Sequence, residues 1–501
     1  MSHAAQKATR MRIALLSWES RHSIAVGGLA EHVSELAAAL ARRGHDVHVF
    51  TRMGPGQSGY DRVNGVHYHR CRYDGHPDFV TDNERMCRSF VWHLGEVEPQ
   101  LPQPFDIIHG HDWLSAKALA QAKNERACRT VLTMHSTEFG RCGNQLCSGL
   151  SWRIRQVEWE GTYVAERVIC VSGALQAEVQ QLYGAPADKV HVIYNGVDVR
   201  RFDAEIDVGS VRTRYAVGLD DPLVLFAGRL AWQKGPDLLV DALPGVLHQH
   251  PQAKFVFAGD GHMRDGLEER VAAIGVAPAT RFLGHRDGSE LVGLFKGADL
   301  VCVPSRNEPF GIVILEAWSA GKPVVATRQG GPAELVRNGD TGLTVSDNVG
   351  SIGWGVSRLL ADTESGQRMG RNGRREAETR FSWDTIAAGT ESVYESVLDN
   401  PPAGEANIGC SFVEEAEMPR QRSDKPTRRT AKARETSTNP KPSRTTVKSK
   451  TVKQVMGMVG PTQADVRQRA YEIYLARNDR PGDPVADWLQ AERELRSQLR
   501  T

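Results

Sequence analysis

This chain has no long hydrophobic run. Nowhere in its 501 residues does an apolar stretch reach the roughly 18 residues that a membrane-spanning helix requires. No apolar signal region lies near the start, so a cytoplasmic protein is expected. Net charge is nearly absent: 62 basic residues face 61 acidic ones. The chain as a whole therefore offers no field that would draw it to nucleic acid or to an anionic membrane. Cysteine is scarce, at 8 residues. Cys71, Cys87, Cys128, Cys170, Cys302 and Cys410 are scattered, several in apolar strand-like contexts, which is the pattern of reduced core thiols. Cys142 and Cys147 stand close together in GRCGNQLC. A metal centre would want further Cys or His at tighter spacing, and no metal site is expected.

What is present is the composition of a globular protein, with 40% apolar and 25% charged residues. The length suits two or three domains. Arg12 to Trp18 reads as a strand, and a polar loop then ends at Gly27-Gly28. Ala30 to Arg43 reads as a helix stopped by Gly44, and His45 to Thr51 as the next strand. Such a βαβ opening predicts a parallel sheet. It lacks GxGxxG, which weakens an oxidoreductase reading. Residues 53–104 are less regular, with a helix expected over Met86 to Gly95. Strands are expected again from Phe105, Arg129, Arg167 and Lys189, and the alternation restarts at Pro222 with PLVLFA. The expected organisation is a tail over 1–10 (Met11 being an alternative start), α/β domains over 11–205 and 206–380, and a helix over 381–398.

The densest signal is Pro304 to Leu335 (PSRNEPFGIVILEAWSAGKPVVATRQGGPAEL), which reads as strand end, loop, helix, strand and Gly-rich turn. Glu308 lies at the mouth of that helix. The helix dipole favours a carboxylate there, so Glu308 by itself needs no ligand. Glu316 lies inside IVILEAW, where a carboxylate is rarely buried without a partner. That partner is either a hydroxyl pair on a ligand or an internal Arg. Gly27 and Gly28 would let backbone amides approach an anion at a helix start, unless they form a plain tight turn. His111 and Asp112 follow one strand, where Asp112 also suits a helix cap, and His135 ends another. Arg229 and Lys234, five residues apart, precede a helix start at Pro236. Two cations there suit a diphosphate, a surface pair being the alternative.

Glu308, seven residues, Glu316 and then GGPAEL resemble the paired-glutamate signature of retaining glycosyltransferases of the glycogen and sucrose synthase-like, or group 1, family. GGL at 27–29, HGHDW at 109–113, HSTE at 135–138 and NGVD at 195–198 resemble that family in the same order. The likeness covers about residues 11–398 and is nearest to glycogen synthase-like members. It implies an α/β fold of the GT-B kind: two facing Rossmann-like domains with a cleft between them. The first would be the acceptor side, the second would bind the nucleotide sugar, and the last helix would cross back to the first. It also implies roles. The amides of Gly27 and Gly28 would meet the donor phosphates, and His135 the donor sugar hydroxyls. Arg229 and Lys234 would stabilise the leaving nucleotide diphosphate. Glu308, with the following amides at Phe310 and Gly311, would hold the sugar, and Glu316 the ribose. His111, Asp112 and Glu138 would face the cleft on the acceptor side.

Asp-x-Asp occurs nowhere in the chain. No metal is therefore expected to bridge the diphosphate, the two cations taking its place, and no cofactor is implied. The implied activity is retaining hexosyl transfer, in first place of glucose from ADP-glucose or UDP-glucose to a glucan through an α-1,4 linkage. The segment SWES before the glycine pair lacks the Lys frequent in starch and glycogen synthases, and GGPAE is shared with sucrose-type enzymes. A sucrose-type, lipid or cell-surface polysaccharide acceptor therefore stays open.

Composition changes at Asp399. Residues 399–460 are rich in Pro, Ser, Thr, Lys and Arg and read as a disordered basic linker. Between Arg420 and Lys453 about a dozen cations face two acids, with no aromatic residue to stack on bases, which favours a solvated linker over a tether. Residues 461–501 read as a helical hairpin, too small to be stable alone, with an unknown partner. AYEIYLARNDRPGDPVADWLQAERELR resembles a small bacterial domain of unknown function. A scaffold acting through linker and hairpin is the non-enzyme alternative, and the complete Arg229, Lys234, Glu308 and Glu316 set counts against it.

Overall fold

The computed structural model describes residues 10–126 and 128–399. The linker and hairpin expected beyond residue 399 lie outside the described residues. Two sheets carry the fold. The first contains β1 Arg12–Ser17, β2 Asp46–Arg52, β3 Tyr60–Val63, β4 Val66–Cys71, β5 Ile107–His111, β6 Arg129–Met134, β7 Arg167–Cys170 and β8 Val190–Val192. Their order is β3-β4-β2-β1-β5-β6-β7-β8. The second contains β9 Leu223–Ala227, β10 Lys254–Ala258, β11 Thr280–Gly284, β12 Leu300–Val303, β13 Val324–Thr327 and β14 Leu343–Val345, in the order β11-β10-β9-β12-β13-β14. Every pairing is parallel except the β3–β4 hairpin. The expected pair of Rossmann-like α/β units is thus present.

Both faces of each sheet are covered, which is why the strands read as unbroken apolar runs. On β1, Ile13 and Leu15 join one core with Val33 and Leu36 of the helix Gly28–Arg42, while Ala14 and Leu16 join another with Met86 and Phe90 of the helix Phe79–Val97. That second helix begins seven residues before the expected Met86, because the Asp78 side chain accepts from Thr81 N at 2.9 Å and caps it there. The irregular stretch before it holds the β3–β4 hairpin. Its turn is Asn64-Gly65, with φ of 51° and 82°, the left-handed pair that Asn-Gly favours.

The helix Trp383–Leu398 packs on the first sheet. Trp383, Ile386 and Tyr394 share a core with Leu15 and Val33, and Glu391 accepts from Arg43 and pairs with His45 Nε2 at 3.0 Å. Cys71, Cys87, Cys170 and Cys302 are buried free thiols, and Cys142 and Cys147 are half-buried and free. Among the described residues no helix is long and apolar enough to cross a membrane.

Candidate active site

In an open parallel sheet, ligands bind outside the carboxyl ends of the strands where the strand order reverses. The first sheet reverses between β1 and β5, the second between β9 and β12. The loops leaving these four strands carry Gly27 and Gly28, His111 and Asp112, Arg229 and Lys234, and Glu308 to Gly311. The two reversal points face each other. A Cβ placed on Gly28 would lie 3.2 Å from Ile312 Cδ1, so the helices Gly28–Arg42 and Ile312–Ser319 meet by their first residues. Neither has a side-chain cap. Two helix N-termini at one place concentrate the positive ends of two helix dipoles.

The second-sheet side is built around Glu308, which is 5% exposed. Its Oε2 accepts from Lys234 Nζ at 2.7 Å and from Ser305 Oγ at 3.1 Å. Its Oε1 carries no hydrogen bond among the described residues. Lys234 reaches it because Gly235 turns the chain at φ +65°, where a Cβ would sit 2.1 Å from Pro304 O. The GGP turn props the same loop: Gly331 N donates to Glu308 O at 2.8 Å. Phe310 is buried, its ring 6.0 Å from Tyr194 and 6.4 Å from Phe381, so only its backbone can face a ligand. Arg229 is exposed, with one long contact of 3.4 Å to Gln233 Oε1.

Glu316 is partly buried, and no hydrogen bond to its carboxylate exists among the described residues. Burial pushes it up to about 7, Arg201 pulling it down and Glu31 pushing it up. Arg201 itself is engaged with Glu31 at 2.8 Å. The internal-Arg partner expected as one alternative is therefore nearby but spoken for.

The first-sheet side is lined by histidines. His111 Nδ1 lies 3.4 Å from His135 Nε2, and the His32 ring is 4.5 Å from that of His135. His32 Nδ1 pairs with Asn195 Oδ1 at 2.8 Å, which places the NGVD turn against the helix Gly28–Arg42. His109 is clamped between Tyr394 Oη and Thr133 Oγ1, each at 2.7 Å. Burial drives His32 down to about 4, His109 down to about 3, and His111 and His135 well below their ordinary value. All four are neutral at pH 7 and act as hydrogen-bonding groups rather than cations.

Beneath them, Arg141 gathers charge. It donates to Glu138 Oε2 at 2.8 Å and Glu158 Oε1 at 2.6 Å, and lies 3.8 Å from Asp112 Oδ2. Asp112 stands at the cap position of the short turn Trp113–Ser115, but its side chain caps nothing. Its φ is +60°, a strained value of the sort that collects at functional sites. Glu158 is fully buried and is pushed up to about 7 by burial, against the pull of Arg141.

Several residues here were not anticipated. His32 lies one helical turn after Gly28, on the same face, and that spacing was legible. Glu19 was not: its Oε2 accepts from Val26 N at 2.5 Å and Gly27 N at 2.9 Å. The Gly27 amide is thus engaged by the chain itself. Glu334 of GGPAE accepts from Gly173 N at 2.9 Å and Ala174 N at 2.6 Å, and Ser172 Oγ donates to Pro309 O at 2.6 Å. These contacts join the two halves beside the Glu308 loop.

The family described as glycosyltransferase family 4 matches residues 26–201, and that described as glycosyl transferases group 1 matches residues 210–376. Residues 461–497 match a protein family of unknown function, DUF2934. An uncharacterized glycosyltransferase of Methanocaldococcus jannaschii is 39% identical over 393 residues, covering 78% of this chain and 99% of that protein. A glycogen synthase of Mycobacterium tuberculosis is 32% identical over 401 residues, covering 77% of this chain and 94% of that protein. The solved sucrose-phosphate synthase of Thermosynechococcus elongatus shares the fold, with a TM-score of 0.66 at 24% identity over 78% of this chain and all of that one. Both halves of the fold and nearly the full length of its relatives thus agree, and the chain belongs to the group 1 glycosyltransferases.

Proposed function

We propose that the protein moves a glucosyl unit from a nucleoside diphosphate donor to an α-glucan, through an α-1,4 linkage and with retention of configuration. The observation that carries this reading is the Lys234–Glu308 pair, 2.7 Å apart, beside two facing uncapped helix N-termini. That arrangement suits a diphosphate with a sugar attached. Negative charge developing on the leaving diphosphate would be met by Arg229, Lys234 and the helix ends. The unoccupied Oε1 of Glu308 is free to accept from a sugar hydroxyl, and the open carboxylate of Glu316 from a ribose hydroxyl pair. Neutral His135 can exchange hydrogen bonds with sugar hydroxyls without adding charge. The acceptor would attack the face that the diphosphate leaves. With Arg229 and Lys234 in the role of a bridging ion, turnover needs no divalent metal and is expected to continue in EDTA. The likeness to a glycogen synthase supports a glucan acceptor. A sucrose-type, lipid or cell-surface polysaccharide acceptor is the second reading, favoured by the missing Lys in SWES.

The test is incubation of the protein with ADP-glucose, UDP-glucose and GDP-mannose, with and without glycogen primer, reading nucleotide release and product linkage. Glu308→Ala serves as control. Primer-dependent release from one glucose donor, lost in the variant, is the expected result. Release that ignores the primer moves the acceptor elsewhere. Absence of release and of binding for every donor overturns the glucosyl reading.

A further inference from the structure

Between Arg229 and Lys234 stands Trp232, an aromatic ring that is 45% exposed. The ring is held in place. The Arg306 guanidinium lies over it, 4.9 Å from the ring centre, and Arg306 Nη1 donates to Trp232 O at 2.9 Å. Arg306 is itself fixed by Asp237, through contacts of 2.8 and 2.5 Å. One face of the ring is thus covered by a cation whose charge Asp237 neutralises, which leaves the opposite face to solvent.

The first domain reaches the same ring. A Cβ on Gly143 would lie 2.9 Å from Trp232 Cζ3, and one on Gly140 would lie 3.1 Å from Asn307 Nδ2. Glycine at both places lets this loop close on the second domain. Gly143 and Asn144 both take the left-handed backbone, with φ of +75° and +61°, which Gly and Asn tolerate best. Asn307 Nδ2 then donates to Asn144 Oδ1 at 2.6 Å. Asn307 Oδ1 accepts from Gln233 Nε2 at 3.2 Å, and Gln233 Oε1 from Arg229 Nη2 at 3.4 Å. A line of three side-chain amides therefore runs from Arg229 to the first domain. It ends on Asn144 Nδ2, which belongs to an exposed residue and makes no hydrogen bond among the described residues.

An aromatic face beside free amide hydrogens, with the nearest cation already paired, suits an uncharged sugar. One face of a pyranose ring carries apolar C–H groups that pack on an aromatic ring, while the hydroxyls at its edge take hydrogen bonds from amides. The nucleoside end of a donor is placed elsewhere: Glu316, assigned above to the ribose, stands near Arg201 and Glu31. Trp232 instead meets the loop that follows the turn Glu138–Arg141.

We propose that Trp232 and Asn144 form an acceptor subsite shared between the two domains. A neutral glucose ring of the acceptor stacks on the open face of Trp232, and its hydroxyls accept from Asn144. The subsite rests on the glucan acceptor proposed above and adds where that acceptor is held. Because each domain supplies one of the two groups, a bound acceptor also helps to keep the cleft closed over the donor.

The test uses the full-length chain with maltoheptaose as acceptor and the glucose donor that it turns over. Steady-state rates give separate KM values for acceptor and donor. Calorimetry gives maltoheptaose binding in the presence of the nucleoside diphosphate product. In Trp232→Ala the acceptor KM and Kd are expected to rise about 10–100-fold, with the donor KM within about twofold of the parent value. Trp232→Phe keeps a flat ring and is expected to recover most of the lost affinity. Asn144→Ala should raise the acceptor KM about 3–10-fold. A donor KM that rises together with the acceptor KM would mean that the ring steadies Lys234 or meets the donor base, and overturns the proposal. An unchanged acceptor KM in Trp232→Ala, while the parent elongates maltoheptaose, overturns the subsite alone. A parent that neither elongates nor binds maltoheptaose overturns the glucan reading, and the subsite with it.

Discussion

Replacing Glu316 with Gln separates two accounts of a carboxylate set in an apolar helix. Burial raises it from 4.5 to about 7. A carboxyl whose folded pKa lies above its unfolded one binds its proton more tightly in the folded state. Its contribution to stability is therefore complete below about pH 4.5 and is lost as pH rises through about 7. A displacement of that size corresponds to about 3 kcal/mol at most, and about 1–2 kcal/mol for a group that solvent partly reaches. Gln carries no such penalty. At about pH 8, Glu316→Gln should melt roughly 1–3 °C above the parent, and the two should coincide near pH 5. Nucleotide-sugar binding should move the other way. Charge-assisted hydrogen bonds contribute about 1.5–3 kcal/mol each, so donor affinity at about pH 8 should fall about 10–100-fold in a calorimetric titration. A gain in stability with a loss of binding is the signature of a carboxylate kept for a ligand. A variant that melts lower at pH 8 and binds donor as before would show that Arg201 is the true partner and refute the reasoning.

Lys234→Ala should lower kcat/KM about 10²–10³-fold and also lower the melting temperature, because Glu308 is left buried with Ser305 alone; retained turnover would remove Lys234 from the mechanism. Gly331→Ala should abolish turnover while leaving circular dichroism intact, since the added Cβ would lie 2.3 Å from Phe310 O and must push the Glu308 loop aside. Glu334→Ala removes the acceptor of the Gly173 and Ala174 amides and should cost about 1–2 kcal/mol, seen as a lower melting temperature and faster proteolysis between residues 195 and 210. Arg141→Met leaves Glu158 buried without a cation and should destabilise by about 3–5 kcal/mol, less below about pH 7, where Glu158 takes up a proton.

The two sheets were legible because both of their faces are buried, so runs such as PLVLFA and KFVFA stand out against their flanks. The last helix among the described residues was legible from Phe381-Ser382-Trp383, with Ser382 accepting from Thr385 N. The β3–β4 hairpin carries an equally plain Asn-Gly signal between alternating residues, which the irregular composition around it obscured. The loops bearing Gly28, Arg229 and Glu308 could be placed at strand ends from local pattern. What they touch could not: Lys234 and Glu308 are 74 residues apart, and only the strand order β9-β12 makes them neighbours. Glu19 was read as part of a polar loop, since nothing local shows a side chain turning back onto Val26 and Gly27.

The Glu19 carboxylate has a further consequence. It occupies amides at the mouth of the first helix, where an incoming anion would otherwise find donors waiting. Any phosphate that seeks those amides must evict a carboxylate belonging to the chain, so binding there is an exchange of one anion for another. Free inorganic phosphate can offer little beyond the charge it replaces. A nucleotide sugar brings a sugar and a ribose as well, and so can tip the exchange. On the proposed function, the occupied seat would therefore favour a whole donor over its fragments.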